Sequence, residues 1–428
     1  MNELHNKEHD ITYHNNHNVF ILGAGFSAGA GLPTMRNFIP AMRHAVSWAE
    51  ENGFNDLRDD IIRSLVLRKN SVSAAYRCKI DPNNIEDIFS LYAGGLQITR
   101  GRHNKSSIQR AIAATLEFKM SYYRTHAPLL KLSIQPHIIS TLPEDYINSL
   151  ESGDSDAQKI IPLYQAIASV LSNGLNANGL VEKPTKNTII TFNYDTLLEE
   201  SLESISAPYN LGITSENIDI DSDSPHLNRG QPLSELSILK LHGSSNWAVS
   251  FNTHTDSHQR TDKTYPSIKI YRNATELFTD QAHEYDQMIL EPPTWNKGSN
   301  APILQQLWDK SIEALSTATT IFIIGYSMPE TDMHFKYLMA SGLSNNISLE
   351  KVIIINPAFG QEIDSGPLKA RVFKIFREEH EAENSLQMIS CNASDFILAA
   401  GKQKKIDPNF LPFILNPGLD HSFFSGLQ

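Results

Sequence analysis

The sequence VFILGAGFSAGAGLPTMR, residues 19–36, constrains the fold more than any other part of the chain. Its first four residues are apolar and predict a buried strand, which Gly23-Ala24-Gly25 ends before a helix begins. Such a turn leaves backbone N–H groups at the helix N-terminus, where they favour a phosphate. Gly23, Gly25 and Ala28 fit the G-x-G-x-x-G/A dinucleotide pattern, although a Gly-rich turn without a ligand fits the bare pattern as well.

Length and charge narrow the class of protein. A chain of 428 residues suggests two or three domains, and a net charge of −12 argues against strong direct binding to nucleic acid. Cys78 and Cys391 are the two cysteines and form no disulfide framework, which favours a reducing cytoplasm. The polar beginning of the chain predicts no signal peptide, and no apolar run approaches the ~18 residues of a membrane span.

After the glycine segment the apolar residues recur at helical spacing for a long distance. Candidate helices cover residues 38–49, 56–68, 85–98, 107–123 and 156–171. We therefore predict a helical insertion domain at 37–186 within a catalytic domain formed by 19–36 and 187–400. A flexible His-rich arm at 1–18 and a tail at 401–428 complete the predicted organisation.

The second half of the chain alternates strands with helices. Buried strands are predicted at 187–192, 236–241, 320–324 and 352–355, with further strand candidates at 268–271 and 288–290 and a final helix at 385–399. This alternation is typical of an α/β, Rossmann-like fold with a mainly parallel sheet.

Polar residues follow the predicted strands where a parallel sheet binds ligands, outside the carboxyl ends of its strands. Asn193 and Asp195 follow one strand, His242 the next, and Ser327 and Asn356 two later ones. Each has an ordinary alternative role. Asn-x-Asp is typical of a helix N-cap, a single His is often structural, and Ser or Asn is common in turns. The unperturbed pKa of histidine near 6.5 would suit a general base.

The glycine segment resembles the sirtuin signature G-A-G-x-S-x-x-x-G-I-P-x-F-R. Thr34 stands where sirtuins carry Asp, and Met35 where they carry Phe. The matching residues are Gly23, Ala24, Gly25, Ser27, Gly31, Pro33 and Arg36.

Further motifs follow in the family's order. TFNYD at 191–195 resembles T-Q-N-x-D, with Phe192 in place of Gln. LHG at 241–243 and GYS at 325–327 resemble the L-H-G and G-T-S motifs, and Asn356 matches a later position. The resemblance covers roughly 19–36 and 187–400.

This resemblance implies a sirtuin-like fold and NAD as substrate. Asn193 would contact the ribose and position the nucleophile, Asp195 would support the nicotinamide side, and His242 would accept a proton. The residues implied in dinucleotide binding are Gly23, Ala24, Gly25, Ser27, Pro33, Arg36, Gly325, Ser327 and Asn356.

Protein-deacylating sirtuins carry a zinc module of paired C-x-x-C motifs after L-H-G. Residues 250–266 contain no Cys, so no zinc or other metal is expected. Several features of the chain resemble bacterial sirtuin-like domains of anti-phage defence. They are the missing zinc module, the helical insertion, and the segments Glu86-Asp87 and 329–332.

The resemblance to defence proteins implies a gated cytoplasmic NAD+ hydrolase. It would be a homo-oligomer, alone or with a partner such as a HerA-type ATPase, and would deplete NAD during abortive infection. Two alternatives stay open: a protein deacylase or ADP-ribosyltransferase, and a non-catalytic sensor of NAD or ADP-ribose.

Overall fold

The computed structural model describes most of the chain between residues 17 and 396. The described residues are 17–77, 81, 83–90, 103–126, 163–172, 186–204, 207–213, 219–222, 224, 227, 236–252, 265–280, 288–292, 302–329, 332–393 and 396. The predicted arm up to residue 16 and the predicted tail at 401–428 lie outside these ranges.

The described residues form the following strands and helices. The strands are β1 (His17–Leu22), β2 (Lys186–Thr191), β3 (Asp219–Ser222), β4 (Leu236–Lys240), β5 (Gly243–Asn252), β6 (Tyr265–Ile270), β7 (Met288–Leu290), β8 (Thr320–Ile324), β9 (Lys351–Ile355) and β10 (Leu386–Ile389). The helices are α1 (Ala24–Ser27), α2 (Phe38–Glu51), α3 (Asn55–Arg77), α4 (His103–His126), α5 (Leu163–Leu171), α6 (Leu197–Ser204), α7 (Ala274–Thr279), α8 (Pro302–Ser316), α9 (Met333–Leu343), α10 (Ser365–Phe373) and α11 (Glu379–Ala382).

Six parallel strands form the main sheet in the order β10-β9-β8-β1-β2-β4. The chain leaves β1 toward β2 and β4 on one side and later returns to β8, β9 and β10 on the other. This is the doubly wound order of a Rossmann fold, whose ligands bind at the switch point beside the first strand. The predicted α/β class with a mainly parallel sheet is confirmed.

The central strands are apolar because both faces of a parallel sheet are covered by helices. All six residues of β1 and all five of β8 are buried. Phe20 and Phe322 are direct partners in the register of these two strands, and their rings stack with centroids 4.9 Å apart. Asn18 and Asn187 pair in the same way between β1 and β2, joined by a 2.9 Å side-chain hydrogen bond.

A second sheet of four strands, in the order β3-β6-β5-β7, was not predicted as a separate unit. The strand candidates at 268–271 and 288–290 belong to it, but they pair with β5, which follows the L-H-G motif directly. β5 runs antiparallel to both neighbours. The main sheet therefore ends at β4, and the chain turns at residues 241–242 into a different sheet.

Three helices between β1 and β2 are longer than predicted, since the candidates at 38–49, 56–68 and 107–123 become α2, α3 and α4. The candidates at 85–98 and 156–171 fall partly outside the described residues, which show helix at 85–90 and in α5. These helices share one apolar core with the sheets, and Gln109 of α4 donates a 2.6 Å hydrogen bond to the Leu290 carbonyl of β7. No helix within the described ranges is long and apolar enough to span a membrane.

The predicted final helix at 385–399 is wrong at its start. Residues 386–389 form β10, which pairs in parallel with β9 through partners such as Met388 and Ile354. The apolar residues of LQMI fit a short strand as well as a helix turn. Residues 386–389 form a strand because they pair with the edge of β9 that does not face β8.

His17 makes the stability of the sheet dependent on pH. It is 3% exposed, and its ring nitrogens hydrogen-bond the hydroxyls of Thr317 and Thr188, each at 2.9 Å. Burial, with a smaller contribution from Lys186, lowers the pKa of His17 from 6.5 to about 4. Because the unfolded chain binds this proton more tightly, stability is lost as the pH falls from 6.5 toward 4.

We expect His17→Gln to remove this part of the pH dependence. Between pH 7 and pH 4.5 the free energy of unfolding of the wild type should fall by about 2 kcal/mol more than that of the variant, measured by urea denaturation. Equal losses in the two proteins would show that His17 is protonated equally in the folded and unfolded states.

Candidate active site

The loops that follow β1 and β8 touch each other at the switch point of the main sheet. The Gly23 amide donates to the Ile324 carbonyl at 3.0 Å, and the Gly25 amide donates to the Gly325 carbonyl at 2.8 Å. A Cβ on Gly25 would lie 2.9 Å from the Gly325 Cα. Glycine is therefore required on both sides of this contact.

The sequence predicts backbone N–H groups at this turn that favour a phosphate, but two of them face the neighbouring loop instead. The amides of Gly23 and Gly25 are used by the neighbouring loop. The helix that follows is also short, because α1 gives way to a 3-10 turn at Ala28–Ala30 and Gly31 has a φ of +81°. The glycine pattern here builds a close contact between two strand ends.

Asn193 connects the glycine loop to the end of β2. Its Nδ2 donates to the Gly23 carbonyl at 3.0 Å and to Ser27 Oγ at 3.2 Å, while its backbone amide donates to Thr191 Oγ1. Gly23, Ser27 and Asn193, distant in sequence, therefore form one hydrogen-bonded group. Ser27 also opposes the burial that raises the pKa of Asp195, two residues after Asn193.

The Asp195 carboxyl group is buried and caps the following helix. Its Oδ1 accepts the Leu197 amide at 3.2 Å, which is the N-cap role considered from the sequence. Burial raises the pKa of Asp195, and the nearby Lys240 opposes that rise.

His242 lies at the end of β4 among aromatic rings. Its ring stacks on Tyr194 at 5.9 Å and meets the edge of Phe192 at 5.2 Å between centroids. The residue is 6% exposed. Because Tyr194 stands between Asn193 and Asp195 in sequence, this stacking brings His242 next to the Asn193 loop.

The backbone of His242 is held by the second sheet, which the sequence did not predict. The Glu291 amide donates to the His242 carbonyl at 2.8 Å, and Tyr194 Oη donates to the Glu291 carbonyl at 2.7 Å. Gly243 has a φ of +75°, and a Cβ there would overlap the Ile289 carbonyl. The Gly of L-H-G therefore permits β7 to approach.

An aromatic wall beside His242 was also missed by the sequence analysis. Phe192 stacks on Tyr326 at 5.0 Å, and Tyr326 Oη donates to Asp332 at 2.5 Å. Burial, followed by the Asp332 carboxylate, raises the pKa of Tyr326 well above 10, with a further contribution from Glu86. Glu86 belongs to the helical region between β1 and β2. The only sequence signal was Phe192 in place of Gln.

Of the remaining predicted residues, Asn356 lies close to the aromatic wall. Its Nδ2 donates to the Tyr326 carbonyl at 3.3 Å, and its Oδ1 accepts the Ala358 amide. Ala24 is half-buried in the glycine loop, Pro33 is buried beyond it, and Ser327 is exposed after β8.

Arg36 lies apart from the hydrogen-bonded group. Its side chain is 85% exposed and pairs with Asp364 at 3.4 Å, just before α10. From α10 itself, Arg371 Nε donates to the Ser327 carbonyl at 2.9 Å. Arg36 and Ser327 are thus both connected to the α10 region.

Residues 187–365 match a family model described as a SIR2-like domain. The matched range begins in β2 and ends at the start of α10, so it includes Asn193, His242 and Asn356 and excludes the glycine segment. Among curated proteins, none matches the sequence.

Similar solved structures include three Sir2 proteins. A structure described under the mechanism and regulation of Sir2 enzymes is 15% identical, with a TM-score of 0.33 and 90% of each chain covered. Sir2Tm bound to a propionylated peptide is 12% identical, with a TM-score of 0.34 over 91% of this chain and 94% of that one. Sir2 with a p53 peptide and NAD+ is 12% identical, with a TM-score of 0.32 over the same shares. Overlaps this loose assign no function.

We expect Gly325→Ala to destabilise the protein more than Gly53→Ala does. Both glycines have a positive φ, +64° and +76°, but a Cβ on Gly53 meets no atom within 4 Å whereas one on Gly325 overlaps the backbone of Phe26. Backbone strain alone costs about 1 kcal/mol at Gly53, and the overlap adds to it at Gly325. Thermal unfolding of the two variants measures the difference, and equal destabilisation would contradict the close contact of the two loops.

Proposed function

We propose that the protein hydrolyses NAD+ to nicotinamide and ADP-ribose. The observation that carries the proposal is the pair of hydrogen bonds that join Asn193, after β2, to Gly23 and Ser27, with His242 beside this loop after β4. The match of residues 187–365 to a SIR2-like domain supports it. The switch point of a doubly wound sheet is also where such folds bind dinucleotides.

The reaction breaks the bond between the nicotinamide nitrogen and C1′ of the ribose. The bonding electrons go to the nitrogen, so nicotinamide leaves neutral without protonation, and the sugar passes through an oxocarbenium-like state. The oxygen of water then bonds to C1′ and loses a proton. The protein has to hold the ribose, exclude other water, and direct one nucleophile to one carbon.

The residues at the two strand ends are suited to these tasks. Because its Nδ2 is held by Gly23 and Ser27, Asn193 positions the water through its side-chain oxygen. His242 accepts the proton, and Asp195 stabilises the developing positive charge. Phe192 and Tyr326 form an apolar wall that limits access of bulk water.

The glycine contact gives the dinucleotide a different support from the one predicted. Since the Gly23 and Gly25 amides are engaged with the β8 loop, the donors left for a phosphate come from the rest of the segment and from the loop after β8. We assign dinucleotide binding to the edge formed by these two loops, including Ser327 after β8, together with Asn356 after β9.

The biological setting of the proposal follows from the resemblance to defence proteins. We propose a gated cytoplasmic effector that depletes NAD+, working as a homo-oligomer or with a HerA-type ATPase. Gating is required because a cell depends on NAD+ and does not tolerate a constitutive hydrolase.

The cysteine content favours a hydrolase over a protein deacylase. The chain's two cysteines cannot supply the four thiolates of the zinc module of protein deacylases.

Asn193→Ala and His242→Ala should each abolish formation of nicotinamide and ADP-ribose from NAD+ while the protein stays folded. The measurement is chromatography of products over a range of protein concentrations, with melting curves for each variant. His44→Ala is the matched control, since His44 is exposed on α2. Loss of positioning or of the general base typically costs about 10²–10⁴-fold in rate.

The outcomes separate the candidate functions. Products that form only when an acylated lysine peptide is added would identify a deacylase, and labelled protein would identify an ADP-ribosyltransferase. Binding of NAD+ by calorimetry without product at any protein concentration, and also with an added HerA-type ATPase, would identify a sensor. Full activity of both variants would contradict the assignment of Asn193 and His242.

A further inference from the structure

Lys240 is a buried cation that the proposed reaction does not use. It is the last residue of β4, and its side chain is 1% exposed. Its Nζ donates to the backbone carbonyl of Asp195 at 2.5 Å and to Glu199 Oε1 at 2.6 Å. Thr191, at the end of β2, is its direct partner in the register of the two parallel strands.

These contacts connect the two strand ends that carry the proposed active site. His242 lies two residues after Lys240, and Asn193 lies two residues before Asp195. The ammonium group therefore joins β4 to the 192–196 loop, and Glu199 extends the connection into α6. The loop also rests on the β5 side, where the Ser245 amide donates to the Tyr194 carbonyl at 2.9 Å.

The hydrogen bond from Lys240 to the Asp195 carbonyl is unusual because the ammonium group is buried. Removing an ammonium from water is costly, and an apolar side chain of similar size often stabilises a fold equally well. What an apolar residue cannot do is donate a hydrogen bond to the Asp195 carbonyl. The position of the Asp195 carbonyl constrains the path of the backbone between the end of β2 and Asp195.

We propose that Lys240 is a positioning residue for cleavage of the nicotinamide–ribose bond, holding the 193–195 segment in register with His242. The inference rests on the proposed function. Lys240 touches neither substrate nor water in this role and acts through Asn193 and Asp195. A displacement of about 1 Å at the reacting centre can lower a rate about 10²-fold.

The test replaces the buried pair as a whole. Lys240→Met alone leaves Glu199 buried without its cation, so the variant of choice is Lys240→Met with Glu199→Gln. We expect kcat for NAD+ cleavage to fall about 10²-fold with little change in KM, because the nucleophile and not the dinucleotide is misplaced. Melting curves report the folding of every variant.

The matched control removes a buried pair that lies between two helices of the insertion. Arg110 Nε and Asp60 Oδ2 are 2.6 Å apart, with side chains 15% and 1% exposed. Arg110→Met with Asp60→Asn should lower the melting temperature and leave kcat close to the wild-type value. If the Lys240 variant behaves like this control, or fails to fold while the control folds, Lys240 has a structural role and the proposal is overturned.

A further measurement separates this proposal from the proposed function. If the wild type cleaves no NAD+ at any protein concentration, alone or with an added HerA-type ATPase, the hydrolase is excluded whatever Lys240 does. Crystal structures of the wild type and the Lys240 variant then decide the positioning role. Loss of the hydrogen bond from Asn193 to Gly23 in the variant supports it, and an unchanged 193–195 segment overturns it.

Discussion

The close contact between the loops after β1 and β8 is the constraint on which the rest of the site depends. Two backbone segments approach so closely that Gly23, Gly25 and Gly325 have no space for a side chain. The carbonyl of Gly23 then becomes the acceptor for Asn193, and the position of Gly325 determines where Tyr326 enters the aromatic wall. A glycine pattern commonly associated with phosphate binding serves here first to join two strands.

The two sheets share the task of placing His242. The main sheet supplies β4, which ends two residues before His242. The second sheet holds the His242 carbonyl through the Glu291 amide, and its strand β7 packs beside Gly243. Tyr194 belongs to both arrangements, because its ring stacks on the imidazole and its hydroxyl donates to the Glu291 carbonyl. The orientation of one imidazole thus depends on contacts from three separate parts of the chain.

The sequence predicted the features that depend on local pattern. Buried parallel strands are apolar runs, so β2, β8 and β9 and the polar residues after them could be placed. Contacts set by register between distant segments could not be predicted, such as the pairing of Lys240 with the Asp195 carbonyl or the stack of Phe192 on Tyr326. β10 was assigned to a helix because four residues are too few to show a period. Arg36 matched a motif, but its exposure follows from packing alone.

The central position of β1 has a consequence for how the protein is made. Asn18 pairs with Thr320, and no sheet can close around β1 before β8 has been synthesised. At ribosomal speeds of about 5–20 residues per second, β1 waits for about 15–60 s after it emerges. During that interval an apolar strand has no partner on one side, which is the condition under which nascent chains aggregate or recruit chaperones. The main sheet therefore cannot be completed until β8 and the strands that follow it have been synthesised.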